Sequence, residues 1–152
     1  MADKVKEDWD KGLIRILVYG TLKKGHANHR ILEEAGATFM GYDSVTGPFR
    51  MCDMVGFPGV YRPTELPRKE MRLRGELWAM EPEGLAACDM LEGHPNFYRR
   101  EKWWTDQGAR AWMYIISHRF LAQAPTFTDT KDDLPAGIWH PSKDEEAFWA
   151  SA

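Results

Sequence analysis

The sequence predicts an α+β fold: a small, mostly antiparallel curled sheet or β-barrel flanked by two or three helices. Three observations carry this expectation. Leu13, Ile14, Ile16, Leu17 and Val18 form a nearly continuous apolar run, the pattern of a central strand. Arg72 to Met80 alternates polar and apolar residues as a half-buried strand does. The runs Arg99 to Thr105 and Arg110 to His118 flank the turn Asp106-Gln107-Gly108-Ala109 and read as a hairpin carrying Trp103, Trp112, Tyr114 and Ile116.

In order along the chain, residues 1–12 read as a solvated arm and Leu13 to Tyr19 as the first strand. The glycine at Gly20 and the following Lys23-Lys24-Gly25 make a tight loop. A short helix starts near Asn28 or His29, buries Ile31, Leu32 and Ala35, and stops at Gly36. Ala37 to Val45 is a second strand, closed by Thr46-Gly47-Pro48. Phe49 to Val55 is extended, and Gly56-Phe57-Pro58-Gly59-Val60-Tyr61 is a proline- and glycine-punctuated turn that either lines a pocket or simply connects strands. After the Arg72 strand, Pro82 and Gly84 open a helix whose apolar contacts are Leu85, Cys88, Met90 and Leu91, and Glu92-Gly93-His94-Pro95 ends it. Residues 121–152 form a loop and helical tail, with a last helix from Ser142 to Ala150 in which Ser142 and Glu145 have capping-box spacing. A single domain over 1–152 accommodates all of this.

Composition narrows the function classes. Hydrophobic residues make up 43% and charged residues 28% of the chain, with a net charge of -3, the balance of a soluble globular protein. Basic residues alternate with acidic ones, as in Arg99-Arg100-Glu101-Lys102, so no nucleic-acid stripe is expected. No run reaches membrane-spanning length and the charged N-terminus is unlike a secretory signal, which makes cytoplasmic residence the default. Cys52 and Cys88 read as free thiols. The seven tryptophans, mostly in strand-like runs, read as core.

Two places can carry chemistry. Backbone N–H groups at a strand-to-helix turn lack internal partners, so Tyr19-Gly20-Thr21-Leu22 is either a cradle for a carboxylate or oxyanion, or a turn made at glycine for steric reasons. Glu92 stands at the end of an apolar helical stretch beside Gly93, Pro95 and Phe97. There it is either a desolvated general base or a solvent-facing helix-end carboxylate. His26 and His29 have a spacing that zinc can use, but further ligands are missing. Neither cysteine sits where its pKa would be lowered, and the glycines match no nucleotide fingerprint.

Taken in order, Tyr19-Gly20-Thr21-Leu22, Asn28-His29-Arg30-Ile31-Leu32, Gly75-Glu76-Leu77-Trp78, Leu91-Glu92-Gly93 and Tyr98 followed by Arg100 resemble the γ-glutamylcyclotransferase family. The nearest likeness is to its γ-glutamylamine cyclotransferase and AIG2-like branch. It runs from about Ile14 to Ile116, with a fainter echo at Gly137-Ile138-Trp139. The resemblance implies a small β-barrel with a pocket at its mouth, and a cofactor-free reaction. In that reaction the α-amine of a γ-glutamyl compound attacks its own γ-carbonyl, giving 5-oxoproline and a free amine. It also implies that Glu92 is the catalytic acid/base and that Tyr19, Gly20, Thr21, Leu22 and Tyr98 bind substrate. The expected partner is a small γ-glutamyl molecule, with no metal, nucleic acid or membrane, in a monomer or weak homodimer. A different class stays open: a non-catalytic module that uses the same pocket to bind a metabolite or a protein.

Overall fold

The computed structural model describes residues 12–54, 57–63, 69–117, 120 and 137–151. The arm up to Lys11, Trp9 with it, and residues 121–136 of the tail lie outside the described residues.

Among the described residues seven strands and three helices follow one another: β1 (Ile14–Val18), α1 (Arg30–Glu34), β2 (Thr38–Gly47), β3 (Arg50–Asp53), β4 (Pro58–Tyr61), β5 (Met71–Met80), α2 (Pro82–Glu92), β6 (Tyr98–Trp104), β7 (Arg110–Ile116) and α3 (Lys143–Ser151). Five strands form one sheet in the order β2-β5-β1-β7-β6, and β3 and β4 form a separate ribbon. β1 is central: it runs antiparallel to β5, with Ile16 opposite Trp78, and parallel to β7, with Ile16 opposite Trp112. The apolar run of β1 follows from this position, because both of its faces are covered. Ile16 and Val18 enter one core cluster with Leu32, Leu85, Cys88 and Tyr98, while Leu17 and Tyr19 enter another with Val45, Leu73, Met113 and Trp139. Each such side chain contributes about 1.5–3 kcal/mol by leaving water.

The sheet does not close into a barrel. Its edge strands β2 and β6 are not paired with each other. The sheet curls until the β6–β7 turn meets the free edge of β2 instead. The Asp106 N–H donates to the Ser44 carbonyl at 2.7 Å, Gln107 Nε2 donates to the Tyr42 carbonyl at 2.9 Å, and the Ser44 hydroxyl donates to Asp106 Oδ2 at 2.6 Å.

Three other expectations are corrected. Pro58 to Tyr61 is a strand, not a turn: proline is tolerated at the first residue of an outer strand, where its missing N–H breaks no ladder bond. Met90 and Leu91 are exposed, because the buried face of α2 is Gly84, Leu85 and Cys88. Among the described tryptophans only Trp78 and Trp139 are buried, and Trp104 is 60% exposed. The tail helix forms as expected and the Glu145 N–H donates to Ser142 Oγ at 3.1 Å, but the Glu145 carboxylate does not return to cap it. It binds Lys23 and Trp149.

Candidate active site

Helix α2 starts with proline at its first position, where the lost N–H costs nothing, and follows β5 directly. Leu85, Cys88 and Glu92 recur at spacings of three and four, so the carboxylate lies on the helix stripe that faces the sheet. Gly93 ends the helix at φ +65°, a left-handed cap that receives the chain immediately after Glu92. The helix is anchored one turn earlier. Asp89 accepts from Arg100 Nε at 2.9 and 3.1 Å and from the Tyr114 hydroxyl at 2.7 Å, and Arg100 lies 4.3 Å from the Trp112 ring.

The opposing element is the loop after β1. Its turn closes with the Lys23 N–H donating to the Gly20 carbonyl at 3.0 Å, and Asn28 braces it by donating from its backbone to the Thr21 carbonyl and from Nδ2 to Thr21 Oγ1 at 2.9 Å. Among the described residues the N–H groups of Gly20, Thr21 and Leu22 donate to no protein acceptor. Glycine is required at position 20 by a close approach: a Cβ there would stand 2.9 Å from Pro58 Cγ.

Between helix end and loop lies a cavity of about 360 Å³. Tyr19, Gly20, Thr21, Leu22, Glu92 and Tyr98, all the residues singled out in the sequence, line it together. Asn28, Phe57, Pro58, Leu91 and Tyr114 complete most of the wall. Burial in this wall pushes the Glu92 carboxyl up to about 7. Its place at the negative end of a helix acts in the same direction.

The three tyrosines do not offer their protons to the cavity. Tyr19 donates to the Tyr114 carbonyl, Tyr98 to the Pro58 carbonyl at 2.5 Å, and Tyr114 to Asp89. Burial raises the pKa of all three, and the Glu92 charge adds to it. They therefore form a rigid, neutral wall. Tyr19 and Leu22 are almost wholly buried, so what they can add to a ligand is main chain.

The histidines are engaged elsewhere. His26 Nε2 meets the His140 carbonyl at 3.0 Å and His29 Nδ1 the Leu22 carbonyl at 2.8 Å, and among the described residues no three His, Cys, Asp or Glu side chains gather as metal ligands. Both cysteines are buried and no disulfide joins them. Burial, reinforced by Glu92 and Asp89, pushes the Cys88 thiol up to about 12. Tyr114 escapes the sequence reading because its local pattern is that of an ordinary strand position, and only the pairing of β7 beside β1 brings it to the cavity. Phe57 and Pro58 belong to the stretch expected either to line a pocket or to connect strands, and they line the cavity.

A family model described as "Gamma-glutamyl cyclotransferase, AIG2-like" matches residues 16–141. The chain belongs to this family. A Vibrio cholerae protein named "Putative gamma-glutamylcyclotransferase" is 31% identical over 106 residues, which cover 68% of this chain and 84% of that protein. The bovine "Gamma-glutamylaminecyclotransferase" is 30% identical over 99 residues, 63% of this chain but only 58% of the bovine protein, less than two thirds of its length. Among solved structures, a mouse AIG2-like protein matches with a TM-score of 0.62 at 20% identity, covering 86% of this chain and 97% of that one. A Pyrococcus horikoshii protein matches with a TM-score of 0.61 at 21% identity, covering 91% and 96%. At these identities the two structures speak for the fold. Family and relatives make the chain an enzyme of the γ-glutamylcyclotransferase kind. Among the described residues no helix is long and apolar enough to cross a membrane.

Proposed function

We propose that this protein cyclises a γ-glutamyl amine or γ-glutamyl peptide to 5-oxoproline with release of the amine, and that Glu92 is its general acid/base. The observation that carries the reading is the shared cavity: a carboxyl group with a pKa of about 7 lines the same space as Gly20, Thr21 and Leu22, whose N–H groups have no protein acceptor among the described residues.

In this mechanism the substrate folds with its α-nitrogen near its γ-carbonyl carbon. The Glu92 carboxylate takes a proton from the α-ammonium. The freed amine attacks the γ-carbon, the C–N bond of the five-membered ring forms, and the carbonyl π electrons move to oxygen. Main-chain donors of the loop stabilise that oxyanion or hold the substrate α-carboxylate. Glu92 gives that proton to the leaving nitrogen as the carbonyl re-forms and the C–N bond to it breaks. It then takes the surplus proton of the ring nitrogen and passes it to the released amine, so the ring keeps one N–H and the amine leaves as an ammonium. No water and no redox partner enter the balance. A group with a pKa near neutrality suits a proton that must be both taken and returned. Because attack is intramolecular, holding the folded substrate supplies much of the rate.

Incubation of the purified protein with γ-glutamyl-lysine and a panel of γ-glutamyl dipeptides, with 5-oxoproline read by mass spectrometry, tests the proposal. Turnover that falls about 10²–10⁴-fold in Glu92→Gln is the expected result. Full activity in that variant would remove Glu92 from the mechanism, and saturable binding without product across the panel would favour a metabolite-binding module.

A further inference from the structure

Outside the cavity, the least ordinary polar contact among the described residues is an ion pair with no access to water. Lys23, the residue that closes the turn at Gly20, is 1% exposed, and Glu145 of α3 is 0% exposed. Lys23 Nζ stands 2.8 Å from Glu145 Oε1 and also donates to the Trp139 carbonyl at 2.5 Å. Glu145 Oε2 accepts from Trp149 Nε1 at 3.1 Å. On the other side of the loop, the Lys24 N–H donates to Oε1 of the buried Glu76 at 3.0 Å. The tail thus grips the loop that lines the cavity, yet no residue from 137 to 151 lines the cavity itself. Glu145 also lies beyond residue 141, where the family match ends.

A fully buried ion pair is a poor source of stability. Removing two charges from water costs as much as their attraction returns, and a matched apolar pair commonly does as well or better. Direction is what an apolar pair does not supply. The ammonium has to point at both Glu145 and the Trp139 carbonyl, and this fixes the Lys23 backbone and with it the turn whose carbonyl at Gly20 receives the Lys23 N–H.

We propose that Glu145 is a positioning residue for the cavity, acting through Lys23 to hold in place the Gly20–Lys23 turn, whose Gly20, Thr21 and Leu22 line it. Its activity arm rests on the cyclotransferase reading; its exchange arm does not.

The test compares the wild type with Lys23→Met/Glu145→Leu, which removes both charges and leaves neither stranded. Phe148→Ala serves as a control that loosens α3 at its contacts with Tyr42 and Trp149, 5.3 and 4.8 Å between ring centroids, while keeping both charges of the pair and the Trp149 indole that donates to Glu145. Hydrogen exchange of the Lys23 and Lys24 amides is read by NMR, with Tm and steady-state kinetics beside it. The double variant is expected to keep its Tm within a few degrees, to exchange those two amides at least about tenfold faster, and to lose about tenfold in kcat/KM. Phe148→Ala is expected to lower Tm and leave both amides and kcat/KM near wild type. Glu145→Gln, which keeps the shape and one acceptor, is expected to shift exchange in the same direction by less, and it decides the matter if the double variant does not fold. Unchanged exchange overturns the proposal, as does wild-type kcat/KM in the double variant of an active enzyme. Absence of turnover in the wild type would instead sink the cyclotransferase reading, and the exchange result would still decide the role of Glu145.

Discussion

The hydroxyl of Tyr114 donates to Oδ1 of Asp89 at 2.7 Å, and the carbonyl of the same tyrosine accepts the hydroxyl of Tyr19. One β7 residue therefore joins the exit of β1 to the helix that carries Glu92 three positions later. Both walls of the cavity are fixed to the same point.

Asp89→Ala removes the acceptor of Tyr114 and the partner of Arg100 together. Loss of a charge-assisted, partly buried network costs about 1–3 kcal/mol, to be read from urea denaturation. Turnover per folded molecule is expected to fall as well, because the end of α2 is no longer held against β7.

The proposed acid/base role of Glu92 sets a pH dependence. A general base works only when ionised, and its pKa stands at about 7. The rate of 5-oxoproline formation is expected to rise with pH along a limb centred near 7, well above an ordinary glutamate. A limb near 4.5 in the initial-rate profile would show that the titrating base is not this carboxyl.

The same shift has a stability consequence of opposite sense. The folded protein binds the Glu92 proton more tightly than the unfolded chain, so stability from this group is full below about pH 4.5 and is lost as pH rises to about 7. Glu92→Gln cannot ionise and escapes this loss. It is expected to match the wild type at pH 4 and to exceed it by about 1–3 kcal/mol at pH 8, measured by chemical denaturation at the two pH values.

Gly20→Ala places a methyl group 2.9 Å from Pro58 Cγ, and the proline ring is part of the cavity wall. Overpacking of this kind costs about 1–3 kcal/mol. Turnover is expected to drop about tenfold or more, since either the loop or β4 has to yield; steady-state kinetics beside a melting curve separate the two effects.

Neither cysteine is expected to react in the native state. Cys88 is 0% exposed with its thiol held at about 12, and Cys52 is 2% exposed. Iodoacetamide at pH 8 should leave the folded protein unmodified by mass and label two thiols after denaturation.

The elements that were legible in the sequence are those whose local pattern and tertiary position agree. The unbroken apolar run of β1 signals a strand covered on both faces, and Leu85, Cys88 and Glu92 share one helical stripe. Glu92 and the loop at Gly20 could be singled out because a carboxylate on an apolar stripe and a glycine after a buried strand are both local anomalies. Pro58 to Tyr61 was misread because its turn residues carry the same local signal in an outer strand as in a turn. Met90 and Leu91 followed composition rather than phase, and phase decided which side of α2 was covered. The link between Lys23 and Glu145 spans 122 positions and leaves no periodic trace at either end. Only the folded chain brings the two together.

The meeting of the β6–β7 turn with β2 bears on what this edge of the sheet offers a second molecule. An uncovered outer strand offers main-chain acceptors on which a second molecule can lay a strand, and such addition seeds aggregates. Here the carbonyls of Tyr42 and Ser44 already receive Gln107 and Asp106 of the same chain, so that side of the sheet presents an incoming molecule with acceptors in use.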